Sequence, residues 1–172
     1  MLNMMKIYSK HKPQQRGAAA VEFAIIALLL FTLLFGIIEF GRLFYLYNSV
    51  QEVTRHAARE AVVRWVDNSN TSPAKVMALF GGASLPAGAE ITASNINIEY
   101  LTASGAVPSP FPASAADNIA ACLSGPAGCI ALVRVSIINA SYVPMVGLFT
   151  FLAVPIPAST VTMPAESLGY TG

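Results

Sequence analysis

The chain has 172 residues, enough for one modest domain and an appendage. Apolar residues make up 55% and charged residues 11%, under half the share usual in soluble domains, so a membrane segment or an extensively buried surface is expected. The net charge of +1 conceals an asymmetry: four cations and no acid precede Ala18, while six cations and nine acids follow, which argues against a basic, nucleic-acid-binding body.

Residues 1–17 form a basic leader with Lys6, Lys10, Lys12 and Arg16. Under the positive-inside rule it reads as the cytoplasmic flank of a membrane segment. From Ala18 to Ile38 run 21 residues with one charge, Glu22. At about 1.5 Å per residue they match the roughly 30 Å hydrocarbon core of a bilayer. Phe23 to Ile38 alone is slightly short, so Glu22 either snorkels at the inner edge or is drawn inside. An ionisable group in that position is costly and marks a functional residue. An ordinary signal peptide needs small residues after the apolar run. Here the run continues into Glu39-Phe40-Gly41-Arg42, with no such site. On charge and length alone, an uncleaved signal anchor fits.

Residues 39–67 continue the helical pattern. Glu39/Arg42 and Glu52/Arg55 are spaced i, i+3, and Glu60/Arg64 i, i+4, as in exposed helical ion pairs. Val50, Val53, Ala57, Ala61 and Trp65 form one stripe. No proline interrupts the chain from Ala18 to Asp67, and the first strong stop is Asp67-Asn68-Ser69-Asn70-Thr71-Ser72-Pro73. The pattern predicts one helix from Ala18 to about Val66. Phe40, Phe44, Tyr45 and Tyr47 fall where it leaves the membrane, a position that suits aromatic packing at the interface. Arg55, Arg59 and Arg64 read as a solvated row.

Residues 68–172 hold six charged side chains, Lys75, Glu90, Glu99, Asp117, Arg134 and Glu166. Either this head packs on a partner or a membrane, or its surface is rich in Ser, Thr and Asn. A short helix is expected over Ala74 to Phe80, and strands over Ile91–Leu101, Ala131–Ile138 and Ala158–Met163. Val143 to Val154 is strongly apolar, flanked by Pro144 and Pro155, and too short to span a bilayer as a helix. It reads as a short buried or partner-facing helix. The fold class is therefore α+β: a long N-terminal helix, then a small extracytoplasmic head with about three antiparallel strands.

Cys122 and Cys129 are the only cysteines. They flank Gly125-Pro126, a turn that can bring the thiols together, on the side where disulfides persist. Two cysteines with six residues between them do not complete a zinc site, so a disulfide is expected and a metal is not. Past Gly17 the only histidine is His56, and no Ser-His-Asp set, phosphate loop or metal motif is recognisable. Neither an enzyme nor a cofactor is expected.

Arg16-Gly17 followed by Ala18-Ala19-Ala20-Val21-Glu22-Phe23 and Ala24-Ile25-Ile26-Ala27-Leu28-Leu29-Leu30 resembles the prepilin-peptidase site of type IV pilin-like proteins. The version most similar to it is the TadE-like pseudopilin of the tight-adherence (Flp) pilus. The resemblance extends over Arg55-His56-Ala57-Ala58-Arg59-Glu60-Ala61 and weakly to Thr162-Met163-Pro164-Ala165-Glu166. A membrane-anchored TadF- or TadG-like relative is compatible with the same residues. The resemblance implies cleavage between Gly17 and Ala18 by a prepilin peptidase at the cytoplasmic face. It also implies a minor pilin role in pilus assembly and surface adhesion, with other pilins, pilus-assembly proteins and the lipid bilayer as partners. It places the protein in a bacterial inner membrane, head outward, or in an extracellular pilus after processing.

The chemistry suits that reading. Gly17 supplies a site without a Cβ and with a pliable backbone. A new amino terminus at Ala18 would lie about one helical turn from Glu22. Pairing between them, within a subunit or across neighbours, lowers the cost of burying the carboxylate. Glu22 and Phe23 are therefore the expected assembly contact. Two alternatives come from other classes: an unprocessed single-pass scaffold of a secretion apparatus, and a membrane-tethered ligand-binding module.

Overall fold

The computed structural model describes residues 16–170. The leader expected over residues 1–17 lies outside the described residues as far as residue 15. The chain divides into two compact units, the first ending at Ile37 and the second beginning at Ile38. Helix α1 (Arg16–Val62) contributes an apolar part to the first and an amphipathic part to the second.

In the first unit the helix is rich in Ala and Leu and free of proline, a composition that favours helix without tertiary help. Its apolar side chains are exposed, with Phe23 at 73%. The Thr32 hydroxyl donates to the Leu28 carbonyl (2.8 Å), so this polar group is satisfied inside the helix. A helix that is apolar all round must be covered by lipid or by other helices. By length and composition α1 is sufficient to cross a membrane.

The second unit is the head, and the fold as a whole is α+β. Here α1 turns amphipathic: Leu46, Val50, Val53, Ala57 and Ala61 are buried on one stripe, with Ala58 and Val62 beside it. The i, i+3, i+4 spacing brings them onto one face. After α2 (Pro73–Ala78), a two-residue turn joins β1 (Ser84–Leu85) to β2 (Gly88–Thr92). Next come β3 (Ile96–Leu101), α3 (Ala115–Ser124), β4 (Leu132–Ile137), β5 (Ser141–Tyr142), β6 (Val154–Pro155) and β7 (Thr160–Pro164). The main sheet has order β3-β4-β7, antiparallel throughout, with Ile98 opposite Val135 and Val135 opposite Val161. Alternation sends Ile96, Ile98, Tyr100, Val133, Val135 and Ile137 inward, into one core with the α1 stripe.

The short strands β1, β5 and β6 were not among the expected strands, and four further elements differ from expectation. Helix α1 ends at Val62 rather than near Val66, because the Val62 carbonyl accepts from the Glu166 and Leu168 amides (3.2 and 3.3 Å). The strand expected over Ile91–Leu101 is broken by a 3-10 turn at Ala93–Asn95. There Asn95 Oδ1 accepts from the Thr92 amide (2.9 Å), and Asn95 Nδ2 donates to the Ile138 and Asn139 carbonyls. Residues 143–154 hold no buried α-helix. They carry a 3-10 segment, Gly147–Leu152, with Phe149 buried and Leu148 and Phe151 exposed. Helix α3 was not foreseen, although Ser114, whose Oγ accepts from the Asp117 amide (3.2 Å), caps it in the usual S-x-x-D manner.

Candidate functional site

The residues singled out in sequence fall in two places. Gly17, Ala18, Glu22 and Phe23 occupy the opening turns of α1 and are exposed. Among the described residues, nothing lies within 4 Å of the position a Gly17 Cβ would take. Ala18 and Glu22 stand i, i+4 on the helix, a spacing that puts them on one face. Among the described residues, Glu22 has no ion-pair partner within the chain. Phe23, next to it, presents a bare ring. These turns offer an exposed carboxylate set in an apolar surface.

Cys122 and Cys129 lie in the head. They are joined as a disulfide, with Cα atoms 4.6 Å apart, which ties the end of α3 to the approach to β4. Buried Asn118 braces the same approach: its Oδ1 accepts from the Ile130 amide (2.7 Å) and its Nδ2 donates to the Ile130 carbonyl (3.3 Å).

The most concentrated polar site in the head was not recognised from sequence. Glu39 and Arg42, read as an exposed helical pair, do not pair with each other. Glu39 is only 2% exposed. Its carboxylate accepts from the Tyr142 hydroxyl and from the Val146 amide (2.8 Å). Arg42 forms an ion pair with Glu90, donates to the Val143 carbonyl (2.8 Å) and lies over the Tyr142 ring, 5.1 Å from its centroid. Burial, then the Glu39 carboxylate beside it, pushes the Tyr142 phenol up to about 12. The cluster clamps the first head turn of α1 to β2, to β5 and to the loop after β5.

The other two ion pairs among the described residues lie near the surface. Arg64 and Glu60 pair at 2.8 Å across one helical turn, as the spacing suggested. Arg134 and Glu99, opposite each other on β4 and β3, approach to 3.6 Å. Below α1, Asp67 accepts from the Ser69 amide (2.8 Å), which is the main reason its carboxyl is held below the usual aspartate value.

The family model described as TadE-like protein matches residues 17–59, the stretch of α1 that starts at the Gly17 junction and ends within its amphipathic part. Over that stretch the chain is similar to TadE-like, pilin-type proteins, a structural and non-enzymatic family associated with the Tad pilus. No curated protein and no solved structure matches the chain.

Proposed function

From the TadE-like segment at residues 17–59, we propose that this protein is a minor pilin or pseudopilin of a tight-adherence (Flp) pilus. A prepilin peptidase cuts it after Gly17, and residues 18–38 hold it in the inner membrane with the head outside. Its chemistry is association. The apolar part of α1 packs against helices of other pilins and assembly proteins. The amino group of Ala18 in one subunit then meets Glu22 of a neighbour. The head, residues 68–172 with the amphipathic part of α1, faces outward and serves surface adhesion.

One coincidence supports this reading most strongly. The family match begins where the basic leader gives way to an apolar, all-round exposed helix, and the lone acid stands one turn past that point. A plain anchor needs no acid there. An assembly contact does, because a desolvated amino terminus requires a counter-charge.

Glu22→Ala tests the pairing. In cells whose only copy carries the substitution, pili are expected to be lost while the protein still accumulates in the membrane. Normal pili on those cells would overturn it.

A further inference from the structure

The loop from Val143 to Val154 contains no charged residue, yet it presents some of the largest exposed apolar side chains of the head. Met145 is 76% exposed and Phe151 74%, with Leu148 between them also exposed. This is not a loosely tethered segment. Phe149 is tucked inward and fixes the 3-10 turn, which leaves its neighbours pointing out.

The beginning of the loop is bound to one place on α1. The Val146 amide donates to Glu39 (2.8 Å), Arg42 donates to the Val143 carbonyl (2.8 Å), and the preceding Tyr142 donates to Glu39. Glu39 and Arg42 are the first and fourth residues after Ile38, where the apolar run ends. At 1.5 Å per residue, Arg42 can be no more than about 6 Å of helix beyond it. The polar interface of a bilayer is itself about 6 Å thick on each side of the hydrocarbon. With residues 18–38 across the bilayer, the two α1 residues that bind the start of this loop therefore stand at the level of the interfacial layer. On α1, Phe40 is exposed between these two residues, and Phe44 is exposed about half a turn beyond Arg42.

We infer that the Val143–Val154 loop seats in the lipid interface beside the point where α1 emerges. This rests on the proposal that residues 18–38 cross the bilayer. The occupant of the patch is then lipid, not a protein. Uncharged, bulky and partly aromatic side chains suit that layer. The Glu39–Tyr142–Arg42–Glu90 cluster serves to hold the loop at that depth. Membrane attachment then has two points, and the head is restrained next to the surface before any assembly step.

Depth-dependent fluorescence quenching tests this in the full chain. The chain is reconstituted in vesicles of phosphatidylethanolamine and phosphatidylglycerol containing lipid brominated near the headgroup end of its acyl chains or, for the reporter in the span, near their methyl end. In a Trp65→Phe background, single tryptophans are introduced as Phe151→Trp or Met145→Trp. Leu29→Trp reports on the membrane span, and Leu123→Trp, on exposed α3, reports on the rest of the head. Blue-shifted emission and loss of fluorescence are expected at 151 and 145, and unquenched emission at 123. If Leu29→Trp is quenched while 151 and 145 behave like 123, the inference fails and the membrane reading survives. A blue shift at 151 and 145 without quenching points to a protein surface and also overturns it. If Leu29→Trp is not quenched either, both fall together. A second measurement leaves Trp65 in place. The native chain is illuminated in the same vesicles with photoactivatable lipid, and adducts are expected within residues 143–154. Adducts confined to residues 17–44 would contradict the inference.

Discussion

Replacing Tyr142 by Phe removes one hydroxyl and keeps the ring that Arg42 covers. Glu39 then retains the Val146 amide but loses its side-chain donor while still buried. A hydrogen bond to a charged group in such a place contributes about 1.5–3 kcal/mol, so Tyr142→Phe should destabilise the head by about 2 kcal/mol. That corresponds to about a thirtyfold fall in the folded-to-unfolded ratio. Urea unfolding of the full chain in detergent micelles, followed through Trp65, the only tryptophan, gives the value directly. A double-mutant cycle with Glu39→Gln isolates the pair, and a coupling of about 1–2 kcal/mol is expected. A loss under about 0.5 kcal/mol, with no coupling, would show that Glu39 is satisfied without Tyr142 and refute the clamp.

The same phenol should titrate late. Its folded value is raised to about 12 from an ordinary 10.0, so its stabilising effect is complete below pH 10.0 and is lost as pH rises through about 12. A tyrosinate absorbance titration should show a tyrosine titrating near pH 12 that disappears in Tyr142→Phe, while Tyr100, also raised by burial, keeps its late titration. Gly88→Ala should destabilise the head by about 1–3 kcal/mol by overpacking, because the added Cβ runs into the side chains of Leu46 and Leu85, both buried in the core. Replacing both Cys122 and Cys129 by Ser should lower stability by about 2 kcal/mol, the chain-entropy contribution of so short a loop, and reductant should have the same effect on the native chain. Both are read by the urea assay.

The long helix and the α+β class were legible because they rest on local signals. Absence of proline, a continuous apolar run and the Val50, Val53, Ala57, Ala61 stripe all depend on near neighbours. The three strands of the main sheet were legible for the same reason, through alternation. The Glu39–Tyr142–Arg42–Glu90 cluster was not. Glu39 and Arg42 at i, i+3 look like any exposed helical pair, and their true partners lie 103 and 48 residues away. Only the fold brings those together. The break at Asn95 was hidden because an amide that bridges to Ile138 and Asn139 leaves no trace in local hydropathy. The end of α1 was misplaced because the groups that take the Val62 carbonyl come from the C-terminal segment. At Gly17, Ala18, Glu22 and Phe23 the sequence alone raised the question, since an acid in an apolar run is conspicuous without any structure.

The central claim is that Gly17 is a processing site and that the functional chain starts at Ala18. Intact-mass measurement of the protein from cells with an active cognate prepilin peptidase tests it most directly. The account predicts a product beginning at Ala18, and its disappearance in Gly17→Val. A mature protein that still begins near Met1 in the presence of that peptidase would contradict the claim and leave an unprocessed membrane scaffold in its place.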